Sequence, residues 1–432
     1  MAYISDRVVH DADAHIMEPP NWLRDHADPD IRDRIERPGY ANELAQTGDG
    51  GHDGDQERID EVFARLAERH RTDEFLSNED VEVMNRKNFA ATGSFLAEDR
   101  PRVLDFIGVR SQLMFNTFHN SRLYQWEHQP DLDLAYGTAR AHNRGMVEFC
   151  SVDPRLLPTC YVPLADFERA DAMAAEAIEM GAAALLVASG CPMRHSPSHI
   201  ALAPVWRQAE EAGIPVVFHV GGTGDLIDRA YFDNGLPIPA DFHGGEENFR
   251  SVDYMAIPFP PMQTLATLIF DGVLERFPDL RIGVIEQGCS WVPSWMKQME
   301  SAIEAFGRHE ERLQKLSLRP SEYVERQVAI HHVDDVEFVL DSRNVGDTVR
   351  CTIERSGAVS AVPVVAVGVM GRGVVVTGVR GITGMVVVLL LVGHLRLRGA
   401  EDTSRPRVCG KESGRPAVSG RPGSPRPARC IR

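Results

Sequence analysis

Three short segments of this 432-residue chain hold residue types that bind metals and move protons. In DADAHIMEPP, Asp13 and His15 are two positions apart, so on an extended strand both side chains face one way. A carboxylate and an imidazole presented together suit Zn or Mn. In IPVVFHVGG, an apolar run leads into His219 and a glycine pair. A histidine after a buried strand is usually structural, but on the same rim as His15 it reads as a third metal ligand. In RIGVIEQGCSWVPSWM, Glu286 and Gln287 end another apolar run. Glu286 reads equally as a general acid/base or as a carboxylate that bonds a ligand histidine.

These residues need a scaffold that brings distant strand ends to one place. The chain alternates short apolar strands with helices, which points to βα units and a parallel sheet. Strands are expected at Arg7–Asp13, Val109–Phe115, Leu156–Pro163, Ala182–Ala188, Pro215–Val220, Leu280–Ile285 and Gln327–Ile330. Helices are expected at Leu132–Phe149, Phe167–Met180, Ala203–Ala212, Met262–Phe277 and Val292–Phe306. Seven strands in this rhythm predict a (β/α)8 TIM barrel that lacks or distorts its eighth strand. The alternative, a doubly wound open sheet, usually carries a Gly-rich first turn, which this chain does not have. In a barrel, functional residues gather at the C-terminal mouth of the strands, where Asp13, His15, His219 and Glu286 all fall. Residues 24–103 exceed a plain βα loop and read as a helical insertion or lid.

Composition changes near the end. From Thr348 onward there are fourteen Lys/Arg and four Asp/Glu, a net +10, which leaves −27 on the rest of a chain carrying −17. No Phe, Trp or Tyr follows Phe338. Residues 1–340 therefore read as the barrel, and 341–432 as an aberrant, largely disordered and frameshifted tail. The apolar run Met385–Val392 is too short to span a bilayer. The acidic body argues against nucleic acid as a partner. Seven cysteines without a CxxC pair, and no signal-peptide pattern at the N-terminus, suggest a cytoplasmic protein with buried thiols.

The three segments, with AALLVASG, HSPSHIALAPVWRQAEEAGIPVVFH and PSEYVERQVAI, resemble the amidohydrolase-related (amidohydrolase 2) family, which includes the aminocarboxymuconate semialdehyde decarboxylase-like enzymes. The resemblance runs from Val8 to Leu340. It implies a TIM barrel with one divalent metal ion, Zn or Mn, bound by Asp13, His15 and His219. It also implies hydrolysis or non-oxidative decarboxylation of a small carboxylic acid, ester, lactone or amide, and a homodimer as the assembly. Two departures stand out. Decarboxylases of the family place a histidine where this chain has Glu286-Gln287, which leaves Glu286 or His243 as the acid/base. The family's strand-8 Asp, in a segment like SDYPH, has no counterpart after Leu340. An inactive pseudo-enzyme and a non-catalytic metal- or ligand-binding barrel are therefore the alternative readings. Among the other histidines, His119, His195, His199 and His332 are weaker pocket candidates.

Overall fold

The computed structural model describes residues 2–5, 8–38, 56–86, 88–224, 226–237, 251–330, 348–355 and 358–365. Seven strands form one sheet: β1 (His10–His15), β2 (Ser111–Phe115), β3 (Leu156–Tyr161), β4 (Ala184–Leu186), β5 (Val216–His219), β6 (Ile282–Ile285) and β7 (Val328–Ile330). All neighbours are parallel, and their order in space is their order in sequence. A doubly wound sheet reverses its order at a switch point; this sheet never does. It is the progression of a TIM barrel, and among the described residues it stops at seven strands. There β1 and β7 each pair with one neighbour only.

Burial follows from this architecture. Every residue of β4, β5 and β6 is buried, as expected where helices cover one face and the barrel interior the other. The covering helices are Leu132–Cys150, Phe167–Glu179, Ala203–Ala212, Phe259–Phe270 and Val292–Phe306. Two of them start on aspartate caps: Asp131 accepts from the Leu134 amide and Asp166 from the Arg169 amide. Phe218, Leu185, Trp206 and Tyr323 belong to the main core cluster. The sequence pattern predicts one helix over Met262–Phe277. The chain instead breaks it after Phe270, because Gly272 adopts a φ of 71° before the short helix Val273–Arg276 begins.

The long segment after β1 is helical, as its pattern predicts, with Gln56–His70 and Arg100–Ile107 its longest described helices. Trp22 from its start packs on the helix Leu132–Cys150 at Gly145, where a Cβ would lie 2.6 Å from the indole. Near the chain's end, Thr348–Arg355 and Ala358–Val365 pair antiparallel, an element absent from the sequence expectation. Residues 39–55 of the segment after β1 and the tail from residue 366 lie outside the described residues. Among the described residues, no helix is long and apolar enough to cross a membrane.

One irregularity matters for the site. Asp11 pairs with Gln112 and Ala14 with Met114, so β1 carries one more residue than β2 between those pairs. The extra residue is a β-bulge, which strengthens twist and re-aims side chains. It falls at Ala12–Asp13, and β1 runs on to His15, two residues beyond the expected end at Asp13, so both donors lie in its last three residues.

Candidate metal centre

Asp13 and His15 come from β1, His219 from the last position of β5, and Glu286 from the residue after β6. Their donor atoms lie within 4.8 Å of one another, and this is the cluster of metal-ligand type among the described residues. The Asp13 Oδ1 lies 3.2 Å from Nε2 of His15 and 3.2 Å from Nε2 of His219. The Glu286 Oε2 lies 3.5 Å from the same His219 nitrogen. The two imidazoles meet edge to face with centroids 4.9 Å apart, and Phe115 flanks His219 at 4.6 Å.

The far side of each ring decides whether these residues fit a metal. The His15 Nδ1 lies 2.9 Å from the Asn116 carbonyl, and the His219 Nδ1 lies 2.8 Å from the Val220 carbonyl. A carbonyl only accepts, so Nδ1 carries the proton and donates it. Nε2 of each ring therefore faces the Asp13 carboxylate, where it donates a hydrogen bond when protonated and would offer its lone pair to an ion once that proton is lost, the usual arrangement behind metal-binding histidines. Asn120 also donates to the Val220 carbonyl, and Gly221, at φ 80°, lets the chain turn past that amide. The donor set, two imidazoles and two carboxylates, suits Zn or Mn. The residues fit the ion that the resemblance implies.

The electrostatics agree with that fit. Burial disfavours a charged Asp13, but hydrogen bonds and charge from His15 and His219 outweigh it and hold the carboxyl well below the usual range. Burial likewise opposes a charged His15. Its contact with Asp13 and the negative charges of Asp13 and Glu286 nonetheless push the imidazole up to about 9. This is a pocket that favours positive charge. Burial and the neighbouring charge of Asp13 raise the Glu286 carboxyl, with the two histidines pulling the other way. The Glu286 backbone sits at φ 54°, a strained conformation for a residue with a Cβ, and Gly288 follows at 72°. The turn aims a carboxylate that remains about half exposed, at 54% of its side chain.

None of the other predicted residues that the structure describes joins this cluster. His243 and His332 lie outside the described residues. His199 stacks on Phe167 and His195 packs tilted against it, each with its centroid 4.4 Å away. His119 is buried and stacks on Trp22 instead. A surface cleft of about 310 Å³ lies at Asp28, Asp133, Tyr136, Arg140 and Arg169, and it shares no residue with the donors. Among its charges, Arg169 pairs with Asp133, and Arg140 with Glu176 and Asp28.

Sequence reasoning missed the support around the donors. Glu18 is fully buried and accepts from the Thr117, Phe118 and His119 amides at 3.0 to 3.2 Å, which ties the exit of β1 to that of β2. Burial raises its carboxyl, with those amides acting against the rise. The polar run NTFHN after the apolar end of β2 is the signal that could have marked this rim. Asn116 is buried, and neither polar atom of its side chain has a partner among the described residues.

The model of the Amidohydrolase family matches residues 127–347, slightly more than half of the chain. The chain is similar to the crystal structure of an amidohydrolase from Mycobacterium avium subsp. paratuberculosis K-10. They share 21% identity over 78% of this chain and 88% of that one, with a TM-score of 0.56. At that identity the likeness bears on fold. A 5-carboxyvanillate decarboxylase from Novosphingobium aromaticivorans, solved with manganese and a nitrobenzoic acid, is 15% identical over 76% of this chain and 79% of that one, with a TM-score of 0.45. A 2,6-dihydroxybenzoate decarboxylase from Rhizobium is 17% identical over 61% and 74%, with a TM-score of 0.42. No curated protein matches the chain.

Proposed function

Because the chain belongs to the Amidohydrolase family, we propose that it is a metal-dependent enzyme that hydrolyses or non-oxidatively decarboxylates a small carboxylic acid, ester, lactone or amide. The observation that carries this reading is the convergence of Asp13, His15, His219 and Glu286 from three strand ends. Asp13, His15 and His219 would hold one divalent ion, Zn or Mn. When bound, the ion supplies Lewis acidity toward a substrate carboxylate or carbonyl. The protein's own residues do the rest. The Asn116 and Val220 carbonyls fix the two ring tautomers. Phe115 closes one side of His219 against solvent. Glu286 is the acid/base, since a carboxyl raised from its ordinary value moves toward neutral pH, where proton transfer works best. His243 remains a candidate for the same role outside the described residues. The partner is a small molecule, the compartment the cytoplasm and the assembly a homodimer.

Glu286→Gln tests the role given to the carboxylate. A proton carrier lost to Gln should lower kcat by about 10²–10⁴-fold while metal content holds. Loss of the metal in this variant would make Glu286 a ligand instead, a reading that its place within 4.8 Å of the other donors favours. The function itself is tested by incubating the full chain, loaded with Mn or Zn, with a panel of aromatic acids and lactones. CO2 release or ring opening that chelator abolishes is expected.

A second reading is a barrel that binds a metal and a ligand without turnover. It draws on the sheet, which ends at β7 with β1 and β7 each paired on one side among the described residues. A chain that takes up metal but turns over nothing on that panel supports this reading and contradicts the first.

A further inference from the structure

The two β1 ligands sit beside a bulge, which is a poor place to fix geometry. The extra residue at Ala12–Asp13 interrupts the ladder to β2 where Asp13 must be aimed. Something other than strand pairing has to hold the ligand-bearing stretch, and the side chains behind it form a closed circuit. The Asp13 amide donates to Oδ1 of Asp11 at 3.0 Å. The other Asp11 oxygen accepts from Nε2 of Gln112 at 2.9 Å. The Gln112 Oε1 accepts from Nε of Arg100 at 2.8 Å. Arg100 then returns to β1, its NH1 donating to the His15 carbonyl at 3.2 Å and to the Gly93 carbonyl at 3.1 Å.

Asp11, Gln112 and Arg100 are all buried, at 4%, 2% and 8% exposure. None of the three was singled out by sequence reasoning. The circuit enters β1 just before Asp13 and leaves it at His15, so the two ligands and the bulge lie inside it. Gln112 is the only neutral member, and it uses both ends of its amide: one accepts from the cation, the other donates to the anion. A carboxylate in its place could do the first and not the second.

Building on the metal reading above, we infer that Arg100 and Gln112 are positioning residues that strap the bulged end of β1 and set the angle at which Asp13 and His15 meet the ion. They touch neither the metal nor the substrate. Arg100 supplies the planar, multiply donating group that can reach a side-chain amide and two backbone carbonyls at once, which lysine cannot do. Supports of this kind behind metal ligands typically change affinity by about 10–100-fold when removed.

The experiment uses the full chain with Mn²⁺ as the probe. Binding is measured by calorimetry and ligand symmetry by the Mn²⁺ electron paramagnetic resonance line shape, in the parent, Gln112→Glu, Gln112→Met and Arg100→Lys. The far-ultraviolet spectrum and melting of each apo protein are recorded alongside. The strap predicts that Gln112→Glu keeps an apo fold like the parent's, binds Mn²⁺ about 10–100-fold more weakly and shows a changed line shape. Gln112→Met and Arg100→Lys should do the same. Affinity within twofold of the parent with an unchanged line shape in folded variants overturns it. So does a loss of apo structure in all three, which assigns the circuit to the fold rather than to the ligands. A parent chain that binds no Mn²⁺ or Zn²⁺ contradicts the metal reading itself, a result separate from either outcome.

Discussion

His15 and His142 are both withdrawn from water, and burial alone would drive the two imidazoles the same way, toward the neutral form. They end far apart. His142 is fully buried beside Trp22, with Asn143 as the one hydrogen-bond partner of its ring among the described residues, and it falls to about 4. His119 stacks on the other side of the same neighbourhood and is also held well below its ordinary value by burial. His15, facing Asp13 and Glu286, rises to about 9. The chain contains sixteen histidines, so their presence near a strand end says little. Carboxylates decide which pocket wants a cation. The Trp22 layer is a neutral packing site, and the mouth of β1, β5 and β6 is the place that favours positive charge.

The most forceful way to break this contrast is Asp13→Asn. It keeps the shape and removes the charge shared by both imidazoles. Divalent metal affinity should fall by about a thousandfold, or about 4 kcal/mol, the scale of breaking a buried charge pair. Titration calorimetry with Zn²⁺ and Mn²⁺ reads it directly. An affinity within tenfold of the parent would mean that the carboxylate does not create the pocket.

The opposite pocket is tested by acid. The His142 pKa is depressed in the folded state, so below pH 6.5 the unfolded chain takes up the proton first, and stability is lost as pH falls from about 6.5 to about 4. The full effect is about 3 kcal/mol. In His142→Gln this share of the slope should vanish, making the loss of stability between pH 7 and pH 4 smaller than in the parent. Urea unfolding at several pH values measures it. Parallel curves for the two proteins would show that His142 titrates normally and would undo the contrast.

A smaller effect sharpens the same line. Phe115 is fully buried and flanks His219, contributing contact rather than charge. Phe115→Leu should cost about 1 kcal/mol of stability and change metal affinity by less than about threefold. A larger loss of affinity in a stable variant would show that aromatic packing, as well as charge, holds the ligand ring.

Much of the barrel was legible because most strands are short apolar runs with a helix behind them, and Ala203–Ala212 and Val292–Phe306 appear at the expected bounds. His219 was legible for a related reason, because it ends the apolar run of β5, while Asp13 and His15 were legible from their spacing of two on the polar strand β1. Other features depend on three dimensions. The left-handed turn at Glu286 is a backbone conformation that no residue type announces, since only the later Gly288 is suggestive. The bulge in β1 shows only against β2, about a hundred residues away in sequence. Arg100 and Gln112 look like an exposed charge and a strand polar residue until the fold buries both. His119, read from its place after β2 as a pocket candidate, was turned toward Trp22 by packing.

The most direct test is pulsed electron paramagnetic resonance on the full chain with one equivalent of Mn²⁺. If Asp13, His15 and His219 hold the ion, nitrogen modulation from two imidazoles appears, drops to one in His219→Ala, and disappears with the bound ion in Asp13→Asn. A bound Mn²⁺ with no imidazole nitrogen coupling, or a spectrum unchanged by both substitutions, would contradict the assignment.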